Sequence, residues 1–193
     1  MDVDNNIDAF LKVMDGKDNS TGGGSASSIA GAMAAGLAGM VARLSMGKKD
    51  LESTEHYNAI ATQAETLCQK LFTGGSQDSE AFAVVSAAFG MPKGTDKEKA
   101  ARSHAIKDGM TRCAEVPLQN ATLCSQVLAL CSRLEKSYNT ATASDLECAR
   151  HLADAGLKGC AANVRVNLPY LKDDLLVRNL EARLEAILNS GGE

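Results

Sequence analysis

Two carboxylates stand where a chain of this kind could do chemistry. Asp78 follows the glycine pair Gly74-Gly75 and Ser76, and Asp145 closes the polar run Asn139-Thr140-Ala141-Thr142-Ala143-Ser144-Asp145. A third polar string, Asn163-Val164-Arg165-Val166-Asn167, alternates polar and apolar residues, and Gly22-Gly23-Gly24-Ser25 opens a run of about twenty residues built mostly from Ala, Gly and Ser. Held in place, carboxylates move protons and stabilise positive charge. A glycine-rich start to a helix leaves its first N–H groups free for a polar ligand. Each feature also has an ordinary structural explanation. Asp78 and Asp145 would favour the dipole in a first helical turn. Asn167 would serve as a C-cap, and Arg165 would satisfy carbonyls of a last turn. Taken one at a time, the structural explanation is the better one.

Several familiar chemistries are excluded by pattern. Gly22-Gly23-Gly24-Ser25 is not a phosphate loop, because no strand precedes it and no Lys-Ser/Thr pair ends it. There is no G-x-G-x-x-G and no H-E-x-x-H, and His56, His104 and His151 are scattered, so no metal site is expected. His104 and His151 read as partly exposed helix residues. Net charge is −4, so a nucleic-acid surface is not expected, and aromatic residues at 4% are too few for a base-stacking platform. The six cysteines, Cys68, Cys113, Cys124, Cys131, Cys148 and Cys160, lie in helical stretches with no C-x-x-C pair. They read as reduced, largely buried thiols. The acidic start, Met1-Asp2-Val3-Asp4, has no signal-peptide character. A cytoplasmic protein is expected.

The elements that must position these groups are all helical. Ile7, Phe10, Leu11 and Met14 make a short amphipathic face. Between Asp18 and Arg43 no charge appears, and Ile29, Met33, Leu37, Met40 and Val41 break the small-residue run at helical spacing. Gly31, Ala35 and Gly39 form a smooth strip along the same helix, suited to close backbone approach. Its Ser, Gly and Thr content argues against a membrane span. Tyr57, Ile60, Ala64, Leu67 and Leu71 predict a further helix ending at Thr73-Gly74-Gly75, with Ser76 capping the next. Thr95 and Glu98 form a capping box, Pro117 is expected to kink or break the helix they start, and Ser144 with Glu147 reads as a second capping box. Asp173 or Asp174 caps a last helix through Leu176, Leu180 and Leu184. Residues 1–193 are thus expected to form a single all-α domain, a bundle of about seven or eight helices around a small-residue-rich central one.

Taken in order, the motifs resemble a known family. Gly22-Gly23-Gly24-Ser25 leading into a helix that ends Met40-Val41-Ala42-Arg43-Leu44-Ser45 is similar to the cyclodeaminase/cyclohydrolase family of folate enzymes. So are Asp78-Ser79-Glu80-Ala81-Phe82, Ala88-Phe89-Gly90-Met91-Pro92-Lys93, Val116-Pro117-Leu118 and Ala143-Ser144-Asp145. Asn163-Val164-Arg165-Val166-Asn167-Leu168 is close to the family's N-V-R-I-N-L. The chain departs from the pattern at Thr21, where the family usually has Pro, and at Tyr138, where it usually has Gly.

The resemblance implies an all-helical homodimer that binds a folate, with or without a polyglutamate tail, near the subunit interface. It implies no cofactor beyond the tetrahydrofolate-derived substrate, no metal, and neither nucleic acid nor membrane as partner. The leading expectation is a methenyltetrahydrofolate cyclohydrolase: water attacks the cationic methenyl carbon and the adduct collapses to 10-formyltetrahydrofolate. The alternative is a formiminotetrahydrofolate cyclodeaminase, in which N10 attacks the formimino carbon and ammonia leaves. A non-catalytic helical interaction protein is the alternative of another class. On this resemblance Asp78 and Asp145 share the acid/base and pterin-recognition roles, in an order left open. Gly23, Gly24, Ser25, Asn139, Ser144 and Asn163 would contact or orient ligand atoms, and Arg43, Lys48 and Arg165 would meet the anionic glutamate tail.

Overall fold

The computed structural model describes residues 21–190. The amphipathic stretch around Phe10 lies outside them. Among the described residues there are five α-helices, two single 3-10 turns and no strand. They are α1 (Gly23–Ser45), α2 (Thr54–Phe89), α3 (Asp96–Glu135), α4 (Ala143–Asn167) and α5 (Asp174–Ser190), with the 3-10 turns Thr140–Thr142 and Leu168–Tyr170 flanking α4. The all-helical expectation holds. Among the described residues five helices stand in place of the expected seven or eight: the first predicted helix lies outside the described residues, and two predicted breaks lie inside continuous helices.

The first of these is Gly74-Gly75. Two glycines in a helix interior cost about 1 kcal/mol each relative to alanine, yet α2 runs straight through them. Packing outweighs propensity here. The Asn120 side-chain amide donates to the Gly74 carbonyl at 3.2 Å, and a β-carbon on Gly74 would collide with that same side chain. A β-carbon on Gly75 would stand 3.4 Å from the Ser25 carbonyl oxygen. The pair is a bare patch where α1 and α3 close on α2, not a turn. The second is Pro117, which sits inside the forty-residue α3. Its missing N–H leaves the Cys113 carbonyl without a helical donor, and a side chain from α4 supplies one.

The small-residue helix α1 occupies the centre, packed against α2, α4 and α3. Ala34, Ala35, Ala38, Val41 and Ala42 are fully buried. A β-carbon on Gly156 of α4 would lie 3.2 Å from the Gly31 amide nitrogen and 3.0 Å from Cys124 Sγ, so α1 and α4 cross almost backbone to backbone. Gly39 faces Ala64 of α2 in the same way. By length and composition α1 could cross a membrane, but it is mostly enclosed by protein. Leu180 and Leu184 of α5 join Ala114, Leu118, Ala161 and Val164 in a smaller core beside the main one.

The capping box of Thr95 and Glu98 is present in both directions, and Asp173 Oδ1 accepts from the Leu176 amide at 3.2 Å. Ser144 does not cap α4. The helix starts two residues earlier, at Ala143 after Thr142, with no side-chain cap, because the 3-10 turn before it already organises the chain. Four thiols, Cys113, Cys124, Cys131 and Cys160, are buried, Cys68 is half-buried, Cys148 is exposed, and all six are free.

Candidate functional site

At the N-terminal end of α1 three segments distant in sequence converge. Ser25 Oγ lies 2.9 Å from the Gly75 carbonyl, 3.1 Å from Asp78 Oδ2 and 3.0 Å from Ser79 Oγ. A β-carbon on Gly24 would collide with the Asp78 carboxylate and stand 2.6 Å from Asn163 Nδ2. Gly24 is therefore the residue that lets the carboxylate of α2 and the amide of α4 meet over the start of α1. Asp78 is not in a first helical turn, as its glycine-flanked position suggests, but in the interior of α2. The dipole explanation for it falls away. Burial holds its carboxyl above the usual range, and hydrogen bonds from Ser25 pull only partly the other way. A half-buried carboxylate with weakened acidity beside an amide and two hydroxyls is suited to taking up a proton.

Asn163 is itself held. Asn167, one turn on along α4, donates through Nδ2 to Asn163 O at 2.9 Å and Asn163 Oδ1 at 3.1 Å, and to the Cys113 carbonyl at 2.9 Å. That last acceptor is the carbonyl that Pro117 leaves free. Asn167 is thus no C-cap: its side chain ties α4 to α3 behind the site. Gly22 and Gly23 are exposed, with open space where a β-carbon would be, and no side chain caps the first turn of α1.

The second cluster lies at the other end of α1. The Asn139 amide N–H donates to Ser45 Oγ at 2.9 Å, Asn139 Nδ2 donates to the Leu44 carbonyl at 3.2 Å, and Asn139 Oδ1 accepts from the Ala141 amide. This clamps the polar loop against the last turn of α1, and Asp145 follows in the first turn of α4. Tyr138, where the family usually has glycine, packs on the main core without displacing Asn139. Ser144 is exposed. From Ser25 to Ser45 the helix rises about 30 Å, so one chain does not bring Asp78 and Asp145 together.

The basic residues expected to meet a glutamate tail are spread out. Arg43 pairs with Glu65 at 2.9 Å and Arg165 with Glu185 at 3.0 Å, both at the surface. Arg165 therefore does not serve the last-turn carbonyls. Lys48 is exposed just beyond α1. His104 and His151 form exposed pairs with Asp108 and Glu147 one turn away. Among the described residues no three His, Cys, Asp or Glu side chains are grouped to hold a metal ion.

Sequence reasoning missed Ser79 and the coupling of Asn167 to Pro117. Ser79 has no local signal, since its role depends on a helix crossing. Pro117 carried one: a proline inside a helix always frees a carbonyl four residues back.

The sequence model of the Formiminotransferase-cyclodeaminase family matches residues 6–186. The chain is 35% identical over 187 residues to a methenyltetrahydrofolate cyclohydrolase of Methylorubrum extorquens, covering 96% of this chain and 90% of that protein. It is 28% identical to the formimidoyltransferase-cyclodeaminase of Rattus norvegicus over 96% of its own length but 35% of the rat protein. The crystal structure of formiminotetrahydrofolate cyclodeaminase from Thermotoga maritima superposes with a TM-score of 0.79 at 27% identity, covering 89% of this chain and 82% of that one. With a match that spans nearly the whole chain and the motif order preserved, the chain belongs to the formiminotransferase-cyclodeaminase family.

Proposed function

We propose that the protein is a methenyltetrahydrofolate cyclohydrolase whose site is completed by a second copy of the chain. The observation that carries this reading is the half-buried Asp78 carboxylate, facing the Asn163 amide over Gly24, in a chain 35% identical to a protein of that activity. Water adds to the methenyl carbon and gives a proton to Asp78. The C–N5 bond of the adduct then breaks, N5 is protonated, and the adduct hydroxyl loses its proton as the formyl group forms on N10. One proton is released overall. Ser25 and Asn163 orient the reacting groups. Asp145, in the first turn of α4, is assigned to the pterin, whose ring N–H and amino group a carboxylate accepts together.

The second copy follows from the distance between the two clusters. Along the outer side of α1, Ala26, Met33, Gly36 and Leu44 are exposed, with Met33 59% exposed. They continue at helical spacing through half-exposed Ala30, Leu37 and Met40. Two such stripes packed antiparallel about a two-fold axis would set Asp78 and Asn163 of one chain against the partner's Asp145 and the partner's Asn139.

The test is the loss of the methenyl chromophore in purified protein, with Asp78→Asn and Asp145→Asn alongside. Turnover in the wild type and its collapse in both folded variants are expected. Hydrolysis no faster than in buffer would end the cyclohydrolase reading. Ammonia release from formiminotetrahydrofolate, measured in parallel, would transfer the assignment to a cyclodeaminase.

A further inference from the structure

A cavity of about 710 Å³ opens between the end of α2, the first half of α3 and the segment after α4. Its apolar wall includes Phe89, Met110 and Tyr170. Phe89 and Tyr170 are 52% and 62% exposed and face the same space. Its polar wall is basic. Arg102, Lys107 and Lys172 line it against one acid, Asp173, which is held by Lys107 at 3.4 Å. That leaves Arg102 and Lys172 as uncompensated positive charge in a chain of net charge −4.

Arg102 is the informative residue. Its guanidinium lies 5.8 Å from the Phe89 ring centre, and Nη2 donates to the Phe89 carbonyl at 3.3 Å. Its Nε is buried and, among the described residues, has no hydrogen-bond partner. That N–H is out of reach of a ligand, so a carboxylate in the cavity would meet the guanidinium through its other N–H groups. A guanidinium braced on a ring is well suited to grip one.

The cavity and the Asp78 cluster are linked through the packing between them. Met110 packs on Ala81, Val85 and Cys113, and Cys113 holds Asn167. Phe89 follows Asp78 on the same helix by eleven residues, about 16 Å, and Tyr170 follows Asn167 by three. We propose that this cavity holds the aminobenzoyl-glutamate tail of the folate whose pterin and one-carbon bridge lie at Asp78. The benzoyl ring rests on Phe89, Met110 and Tyr170, and the glutamate carboxylates meet Arg102 and Lys172. The assignment rests on the folate reading above. It replaces Arg43 and Arg165, which are occupied by Glu65 and Glu185, as the tail-binding cations.

The experiment compares kcat/KM for 5,10-methenyltetrahydropteroate, which has no glutamate, with that for the triglutamate form, in wild type, Arg102→Ala and Lys172→Ala. Wild type is expected to favour the triglutamate, and that preference is expected to fall at least tenfold in Arg102→Ala and severalfold in Lys172→Ala. Lys172 is exposed, so its variant reads out the cavity even where Arg102→Ala fails to fold. An unchanged preference in folded variants overturns the assignment while leaving the cyclohydrolase reading intact. Should wild type hydrolyse neither substrate, that reading fails, and calorimetry with 4-aminobenzoyl-triglutamate decides the cavity by itself. Binding to wild type that is lost in the variants supports it, and no binding, or equal binding, overturns it.

Discussion

The Asn167 side chain donates to the Cys113 carbonyl at 2.9 Å, the acceptor that Pro117 leaves without a helical donor. The same amide holds Asn163, so a proline on α3 sets the position of a polar group on α4 that faces Asp78. Removing the amide strands a carbonyl away from water, at a cost of about 1–3 kcal/mol. Asn167→Ala is expected to lose that much stability in denaturant titration and to lower kcat more than it raises KM. Adding Pro117→Ala supplies a new N–H to Cys113. The double variant should regain part of the stability but not the activity, because Asn163 stays unheld. Additive stability losses in this cycle would show that the two residues are not coupled through Cys113.

Burial holds the Asp78 carboxyl above its ordinary value of 3.8, so the folded state binds its proton more tightly than the unfolded state. Below the unfolded value both states are protonated and folding bears no penalty. As pH rises through the raised folded value the penalty develops, and above it the penalty is constant. Asp78→Asn is therefore expected to be at least as stable as wild type at pH 7, with the gap closing toward pH 3.8. Thermal melts of both proteins across that range measure it. A variant less stable than wild type at neutral pH, with a gap that widens there, would mean that Asp78 is held as a favourable anion.

Gly24→Ala places a β-carbon among the Asp78 carboxylate and the Asn163 amide. Helix propensity favours alanine by up to about 1 kcal/mol, but the clash pushes apart the groups that must meet. Activity is expected to fall by roughly two orders of magnitude, the scale on which small misplacements at a reacting centre act, with thermal stability changed by only a few degrees. Near-normal turnover in a folded Gly24→Ala would show that the two groups need not share that space.

Helix type, the small-residue centre and the motif residues were legible in the sequence because they rest on local spacing: Gly31, Ala35 and Gly39 make a strip wherever they are helical. Helix number was not legible, because Gly74-Gly75 and Pro117 are local breakers overruled by partners from other helices, Asn120 and Asn167. The candidate site residues could be named from the sequence, but their geometry could not. Asp78 and Asp145 belong to one family pattern, yet the length of α1 separates them within a chain. Arg102, Lys172 and Tyr170 carry no pattern at all, since only the packing of α3 against α2 and the segment after α4 turns them toward a common space.

The thiols should divide by exposure. Burial pushes Cys113 and Cys131 up to about 11, and a hydrogen bond with Cys124, with burial added, raises Cys160 as well. The thiolate is the reactive form, so these three should resist a disulfide reagent at pH 7.5. Cys148 is exposed and should react first, with half-buried Cys68 following slowly. Cys148→Ser is expected to remove the fast phase. Rapid labelling of more than two thiols in the native protein would contradict the buried set.

The composite site makes its own prediction, independent of the chemistry at each carboxylate. In the proposed two-fold dimer, Asp78→Asn and Asp145→Asn each leave two damaged sites. In a mixed dimer, one site combines both substitutions and the other combines the intact Asp78 of one chain with the intact Asp145 of its partner. Refolding equal amounts together places about half of the chains in mixed dimers, each with one intact site of two. Activity should therefore recover to about a quarter of wild type under a two-fold interface. The comparison is with the same variants refolded separately and then mixed. If co-refolding yields no more activity than that mixture, although mass spectrometry shows mixed dimers, then Asp78 and Asp145 do not serve one site across the interface.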